Sequence, residues 1–379
     1  MNVFDTDIPQ LEATTAEEAK TKDELAQPVS QNFAFIGCGA AGGRLTDAFY
    51  RIGYRRCMVI NTCEQDQDGL SENLEYVNTQ LGGSAKDPNI SRTLVLKPDV
   101  RVQFLSFFKE ILGNDFDRVF VCLGAGGGTG SGMGPELIKL LKEYIATNNL
   151  EAKVGCIMSL PQPSEGSRVC TNALEAYENI LKQGPLPLIV IDNARVAKLR
   201  KSTIKSLYPD ANSSAVSLLH TLNVLSATPS FQTLDSADFR SFLNSGMITF
   251  GVVGINNWKE GSDLIAKTVM ETFRSATLAD VDASEATQGL CVMVAGSNVL
   301  EKFSNDELME GLTLLRNSSK CQSMVLHPAI YENTVAGKED SLAVYVGLGG
   351  LRPNEGVLQS LAKIGNVQVP KLAQFLGIT

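Results

Sequence analysis

The sequence predicts an α/β fold built on a parallel sheet, followed by a long central helix and a second, smaller α/β domain. Three observations predict it. Apolar runs of strand length alternate with helical patterns from Asn32 to about Ile191, as in parallel sheets covered on both faces. Two of those runs pass directly into glycine-rich turns that open helices. From Asn212 a glycine-free helical pattern intervenes, and the smaller domain after it lacks such turns.

The elements follow in order. Residues 1–31 are polar, rich in Glu, Asp, Thr and Ala, and lack sustained periodicity, which predicts a disordered acidic arm. Within it, Phe4-Asp5-Thr6-Asp7-Ile8-Pro9 reads as either a docking peptide for an adaptor or a solvated tail. Phe33–Ile36 is a short buried strand that runs into Gly37-Cys38-Gly39-Ala40-Ala41-Gly42-Gly43 and then a helix from Arg44 to Phe49. Further strands are expected at Arg56–Asn61, Val119–Leu123, Lys153–Ser159 and Leu188–Ile191, closing a first domain at 32–211. Apolar residues at Ala215, Val216, Leu219, Leu222 and Leu225 have helical spacing and give a central helix within 212–232. The smaller domain, 233–350, is expected to hold strands at Gly246–Val253, Gly289–Ala295, Gln322–Ile330 and Ser341–Leu348, with helices at Ser262–Leu278 and Asn305–Asn317. A helix near Glu355–Ile364 and a tail complete residues 351–379.

The densest signal is Gly124-Ala125-Gly126-Gly127-Gly128-Thr129-Gly130-Ser131-Gly132, where six of nine residues are glycine. It follows the strand Val119–Leu123 and precedes a helical pattern that starts at Pro135. Backbone N–H groups with no side chain in the way can close around phosphate oxygens, and the helix dipole favours the negative charge. A Walker A loop ends in Gly-Lys-Ser/Thr, and no lysine lies inside this run. Neutralisation therefore falls to backbone N–H groups, the Thr129 and Ser131 hydroxyls, and a metal ion. The first turn, Gly37-x-Gly39-x-x-Gly42, fits a dinucleotide fingerprint when taken alone, with Glu64 about 20 residues onward as the ribose acid. The second, richer glycine run is one that a dinucleotide site does not require.

Composition narrows the field. A net charge of −9 and a pI near 5.0 argue against direct binding of nucleic acid or an anionic membrane. No apolar run approaches the roughly 20 residues that span a bilayer. The eight cysteines include no CxxC pair and read as reduced thiols of a cytoplasmic protein. Two histidines, His220 and His327, are too few for a histidine-rich metal centre, and no protein metal ligands are singled out.

The run Gly126–Gly132 resembles the signature GGGTG[ST]G of the tubulin/FtsZ family of GTPases and satisfies it in full. The resemblance extends over most of residues 32–350, closest in texture to FtsZ-like prokaryotic, plasmid or phage members. It implies a Rossmann-like GTPase domain that binds GTP or GDP with Mg²⁺, and a second domain that activates hydrolysis. The first phosphate loop would comprise Gly37, Cys38, Gly39, Ala40, Ala41, Gly42 and Arg44. Asn61-Thr62-Cys63-Glu64-Gln65 is similar to the family's NTDAQ, with Cys63 in place of the aspartate, so that an acid role would pass to Glu64 or be lost. Gly82 and Gly83 lie in the counterpart of the loop that senses the γ-phosphate, in which Lys86 is unexpected. Glu165 and Arg168 match ribose contacts, Asn193 and Asn212 match the residues that read guanine, and Tyr208 matches the aromatic that stacks on the base. An asparagine amide both donates and accepts, which suits the guanine edge. Asp235 and Asp238 match the NxDxxD loop, with Thr233 in place of its asparagine; in the family these acids enter the next subunit's site and orient the attacking water.

The resemblance thus implies head-to-tail self-assembly into filaments, with cell division, shape or DNA positioning as roles. Val369–Leu376 is faintly similar to the family's terminal adaptor peptide. Two other readings stay open on sequence alone: a structural relative that binds nucleotide without turnover, and an NAD-dependent oxidoreductase.

Overall fold

The computed structural model describes residues 27–367 except 80, 204, 260–263, 276, 318 and 320–323. The arm peptide Phe4–Pro9 and the segment Val369–Leu376 lie outside the described residues. The chain divides into two compact units, one holding Gln31–Ala194 and the segment from Pro353, the other holding Arg195–Arg352.

In the first unit the order is β1 (Phe33–Cys38), α1 (Gly39–Arg51), β2 (Cys57–Asn61), β3 (Glu75–Asn78), α2 (Pro88–Val95) and α3 (Pro98–Phe107). Then come β4 (Arg118–Gly124), α4 (Gly128–Thr147), β5 (Lys153–Leu160), α5 (Ser167–Leu181) and β6 (Leu188–Asp192); α6 (Asn193–Arg200) starts in this unit and passes into the second at Arg195. The strands pair in the order β6-β5-β4-β1-β2-β3, each pair parallel. β1, β2 and β6 are buried at every residue, which is why they read as unbroken apolar runs rather than alternating ones. An aromatic cluster fills the core between β1, β4 and α1. The Phe35 ring stacks on Phe49 at 3.8 Å, and Phe33 meets Phe120 edge-on at 5.3 Å.

The second unit runs α7 (Leu207–Leu225), α8 (Ser236–Leu243), β7 (Met247–Ile255), α9 (Leu264–Ser275), β8 (Val281–Asp282), β9 (Gln288–Ala295), α10 (Ser297–Leu300), α11 (Asn305–Asn317), β10 (Val325–Glu332) and β11 (Leu342–Pro353). Its sheet is mixed: β11 runs antiparallel to both β7 and β9, and β10 lies parallel to β9. The last helix, α12 (Glu355–Gly365), belongs to the first unit, where it packs on α5.

Three helix starts differ from the sequence expectation. α1 begins at Gly39, not Arg44, because the first glycine turn is itself taken into the helix. The central helix begins at Leu207, not Asn212, because Pro209 falls in the first turn, where the missing N–H has no partner to lose. α4 begins at Gly128, not Pro135, so most of the glycine run is helix and only the residues up to Gly127 form the turn. Pro135 is therefore interior to α4, where it offers no N–H to the carbonyl of Ser131. No helix among the described residues is long and apolar enough to cross a membrane.

Candidate functional site

The carboxyl ends of β1, β4 and β2 deliver three loops to one place, the N-terminus of α4. Here the glycines act mainly by letting backbone approach backbone. A Cβ on Gly42 would lie 2.1 Å from the Cys122 carbonyl oxygen, so the first loop seats α1 directly on β4. A Cβ on Gly128 would lie 2.7 Å from the Asp87 nitrogen, and one on Gly132 would lie 2.0 Å from the Pro88 carbonyl oxygen. Gly128 and Gly132 are one helical turn apart, on the face that α2 packs against. Gly124, Gly126 and Gly130 are likewise closed off: an added methyl would meet Ala41, Val169 and the Gly124 carbonyl at 2.7, 2.4 and 2.7 Å.

Gly127 is different. It is the one exposed residue of the run Gly124–Gly132, its added methyl would find nothing nearer than 3.9 Å, and its φ of −78° suits any residue. No packing demand explains a glycine there. It sits at the N-cap of a helix whose first N–H groups have no intrahelical partners. Ala125 is buried behind it, while Ala41 and Arg44 are exposed and Ala40 is half-buried on the first turns of α1. Gly39 takes φ +72°, the left-handed turn that lets α1 start immediately after β1.

Beneath the α4 terminus lies a cluster of hydroxyls. Thr129 Oγ1 is 2.7 Å from Thr62 Oγ1 and 3.1 Å from Ser84 Oγ, and all three side chains are buried. Ser91 Oγ donates to the Gly128 carbonyl at 2.9 Å. The Ser131 hydroxyl donates back to the Gly127 carbonyl and is almost fully covered. The Cys38 thiol, pushed well up by burial, stays neutral and donates to the Thr129 carbonyl at 3.6 Å. The sequence singled out Thr129 and Ser131 but not Thr62, Ser84 or Ser91. Thr62 was the legible one, since it follows Asn61 at the mouth of a strand.

The loop before α2 flanks this terminus. Gly82 and Gly83 have φ of +67° and +107°, and Ala85 and Lys86 are also left-handed at +46° and +60°. The Gly83 N–H donates to the Thr62 carbonyl at 2.7 Å, and Asp87 caps α2 by accepting from the Asn89 N–H. The Lys86 carbonyl accepts from Arg168 Nε and Asn172 Nδ2, each at 2.9 Å. Arg168 thus ties the loop to α5, and its guanidinium also lies 3.9 Å from Asp87. The lysine that the glycine run lacks is brought beside the α4 terminus from this second loop: the carbonyl carbon of Lys86 lies 2.9 Å from where a Gly128 methyl would be, with its side chain exposed.

The remaining residues of the first unit take separate positions. Asn61 is buried and donates to Asp66 at 2.9 Å, which leaves Glu64 exposed at the start of a short 3₁₀ turn. The hydroxyl of Tyr76 donates to the Cys63 carbonyl, and burial lifts its pKa to about 12. Glu165 is exposed and closes a capping box by accepting from the Gln162 N–H at 2.7 Å. Asn193 is buried at the carboxyl end of β6, where α6 begins.

In the second unit, Tyr208 is 41% exposed and Asn212 half-buried on the first turns of α7. Asp235 is the N-cap of α8 and accepts from the Asp238 N–H at 2.8 Å. Asp238 Oδ1 lies 3.1 Å from Nδ1 of His327, a contact that nothing in the sequence announced. Among the described residues no group of three acidic, histidine or cysteine side chains gathers as a metal cage.

A family model described as "Tubulin/FtsZ family, GTPase domain" matches residues 106–201. The cell division protein FtsZ of Aquifex aeolicus is 28% identical over 284 residues, covering 73% of this chain and 72% of that protein. The tubulin-like protein CetZ of Pyrococcus abyssi is 28% identical over 286 residues, covering 73% and 76%. Among solved structures, a GTPγS-bound protofilament of CetZ2 from Haloferax volcanii is similar with a TM-score of 0.72, at 18% identity over 90% of this chain and 99% of that one. GDP-form protofilaments of TubZ from Bacillus thuringiensis serovar israelensis give 0.76, at 19% identity over 93% and 95%. At such identities the structural likeness speaks for the fold.

Proposed function

Starting from a chain of the tubulin/FtsZ family, we propose that this protein binds GTP with Mg²⁺, assembles head to tail with copies of itself, and hydrolyses GTP at a site completed by the next subunit. The observation that carries the reading is the bare N-terminus of α4. Its approaches are glycine for packing reasons, except at Gly127, where the open space is what a phosphate group would fill. Backbone N–H groups there suit an anion, and the loop holding Gly82, Gly83 and Lys86 lies alongside. The Thr129 hydroxyl, shared with Thr62 and Ser84, is poised to turn toward a phosphate oxygen or an ion.

Mg²⁺ in this reading is held by phosphate oxygens and water, since no acidic cage gathers among the described residues. Its chemistry would be to neutralise charge on the phosphates. Glu165 and Arg168 serve the ribose in the same proposal and Asn193 the base; Tyr208 and Asn212 are proposed as base contacts from the order of motifs alone. Asp235 and Asp238 act on the neighbouring subunit's nucleotide by orienting water, because phosphoryl transfer needs positioning and charge stabilisation more than covalent help. A head-to-tail contact is heterologous, so without ring closure it yields an open filament. The relatives solved as protofilaments support self-assembly as the mode of action. A cytoplasmic cytoskeletal role, with an adaptor engaged through a terminal segment, completes the proposal.

The experiment is phosphate release from GTP with Mg²⁺ over a range of protein concentrations, with light scattering read on the same samples. Turnover that begins only above a critical concentration, together with scattering, is the expected result. Turnover strictly proportional to protein, without scattering, would sink the shared site. Scattering without turnover would favour a structural relative that does not hydrolyse, a reading that Cys63 and Thr233 keep in play.

A further inference from the structure

We propose that His327 is a positioning residue for Asp238, holding its carboxylate in the orientation that hydrolysis on the neighbouring subunit requires. The inference rests on the assignment of Asp238 made above.

The geometry is specific. His327 sits on β10 with only 8% of its side chain exposed, and both ring nitrogens are engaged. Nδ1 lies 3.1 Å from Asp238 Oδ1, and Nε2 lies 2.7 Å from Gln288 Oε1. β10 and β9 run parallel, with His327 opposite Leu290, so Gln288 is two residues back on the same sheet face. The ring is thereby clamped by a neighbouring strand before it reaches the acid.

The chemistry follows from donor counting. A carboxylate only accepts, so Nδ1 must carry the proton in this contact. The Gln288 amide can present either its oxygen or its nitrogen to Nε2, so the clamp accommodates both the neutral ring and the imidazolium. Asp238 therefore keeps an N–H donor on Oδ1 in either state. Its side chain is 43% exposed, so the other oxygen remains open to an incoming water. Asp235 is held differently: its Oδ1 accepts from the Asp238 backbone N–H, within the turn of its own helix. One acid is fixed by local backbone, the other by a residue from a distant strand. An acid on the first turn of a surface helix would otherwise rotate freely about χ1 and χ2, and orientation is what this catalysis consumes.

The test compares His327→Leu, His327→Asn and Asp238→Asn in the full chain. It reads kcat above the critical concentration, KM for GTP, and filament mass by sedimentation. The asparagine amide nitrogen takes the place of Nδ1; leucine fills the space without a donor. The expected result is a kcat lowered about tenfold or more in His327→Leu, with KM and filament mass within twofold of native. In His327→Asn most of the rate returns. Native kcat in His327→Leu, or equal losses in the two histidine variants, would overturn the proposal, because then no donor is at work. Native turnover in Asp238→Asn would remove the acid's assignment itself, whereas an inactive Asp238→Asn beside a native His327→Leu sinks the positioning role alone. If His327→Leu does not fold, Gln288→Leu carries the same test, since it frees the ring without touching Asp238: a lowered kcat supports the clamp and a native kcat refutes it.

Discussion

Two glycines five residues apart separate packing from ligand binding within the same run. At Gly132 an added Cβ would stand 2.0 Å from the Pro88 carbonyl oxygen, 2.7 Å from the Pro88 carbonyl carbon and 2.4 Å from Ser91 Oγ. Two of those three atoms are backbone, so α2 has to move off α4. Overpacking of this kind costs about 1–3 kcal/mol, and the close backbone contact places it at the upper end. Alanine returns about 1 kcal/mol in helix propensity, which leaves Gly132→Ala less stable by about 2 kcal/mol. At Gly127 the added methyl is 3.9 Å from its nearest neighbour, in a backbone conformation open to alanine. Alanine is a poorer N-cap but a stiffer unfolded chain, and these effects of about 1 kcal/mol or less oppose each other. Gly127→Ala should therefore be as stable as native within about 1 kcal/mol. Its methyl nevertheless occupies the proposed phosphate position. Loss of one charge-assisted hydrogen bond, about 1.5–3 kcal/mol, weakens GTP binding by roughly 10–100-fold. Urea unfolding followed by circular dichroism gives the stabilities, and titration of nucleotide-free protein with a fluorescent GTP analogue gives the affinities. Native affinity in Gly127→Ala would refute the cradle; native stability in Gly132→Ala would refute the lock between α2 and α4.

Other outcomes follow from the same structure. Asp238→Ala should bind GTP normally, lose turnover and form persistent polymers; normal hydrolysis in this variant would show the acid to be misassigned. Burial pushes the imidazole of His220 down to about 4 from 6.5, so the folded chain holds it neutral while the unfolded chain takes a proton. Its contribution to stability is thus complete above about pH 6.5 and is lost as the pH falls toward 4, by up to about 3 kcal/mol. His220→Gln should flatten that part of the stability–pH curve, and an unchanged slope would mean other groups set it. Phe49, fully buried and stacked on Phe35, should cost about 3–5 kcal/mol when replaced by alanine, read by the same urea titration.

What the sequence disclosed depended on the range of the interaction behind each feature. β1, β2 and β6 are legible because complete burial writes itself as a local apolar run. α11 and α12 matched their expected spans closely, since one buried stripe repeats along each. The start of α4 departs from the expected Pro135 because Gly128 and Gly132 belong to the helix and admit α2, which is encoded some forty residues earlier. The acids of α8 stand out in the sequence only through the resemblance to the NxDxxD loop, and nothing there points to His327. The pairing depends on β10 reaching α8, a tertiary fact with no local periodicity. In the sequence Lys86 is only a departure from the family pattern, and its place beside the α4 terminus comes from a string of left-handed residues that sequence alone does not specify.

That string has a mechanical consequence. The Lys86 carbonyl is gripped by Arg168 and Asn172 on α5, and between them in sequence Thr171 donates to the Gly365 carbonyl at the end of α12. One short stretch of α5 therefore has one hand on the loop and the other on the last helix. A shift of the loop by the length of a hydrogen bond either strips two donors from its carbonyl or drags α5 with it. In the second case the strain arrives at Gly365, where α12 gives way to Asn366 in a left-handed turn. The stiffness of this first unit is thus distributed as a lever, with its fulcrum at the opening turns of α5.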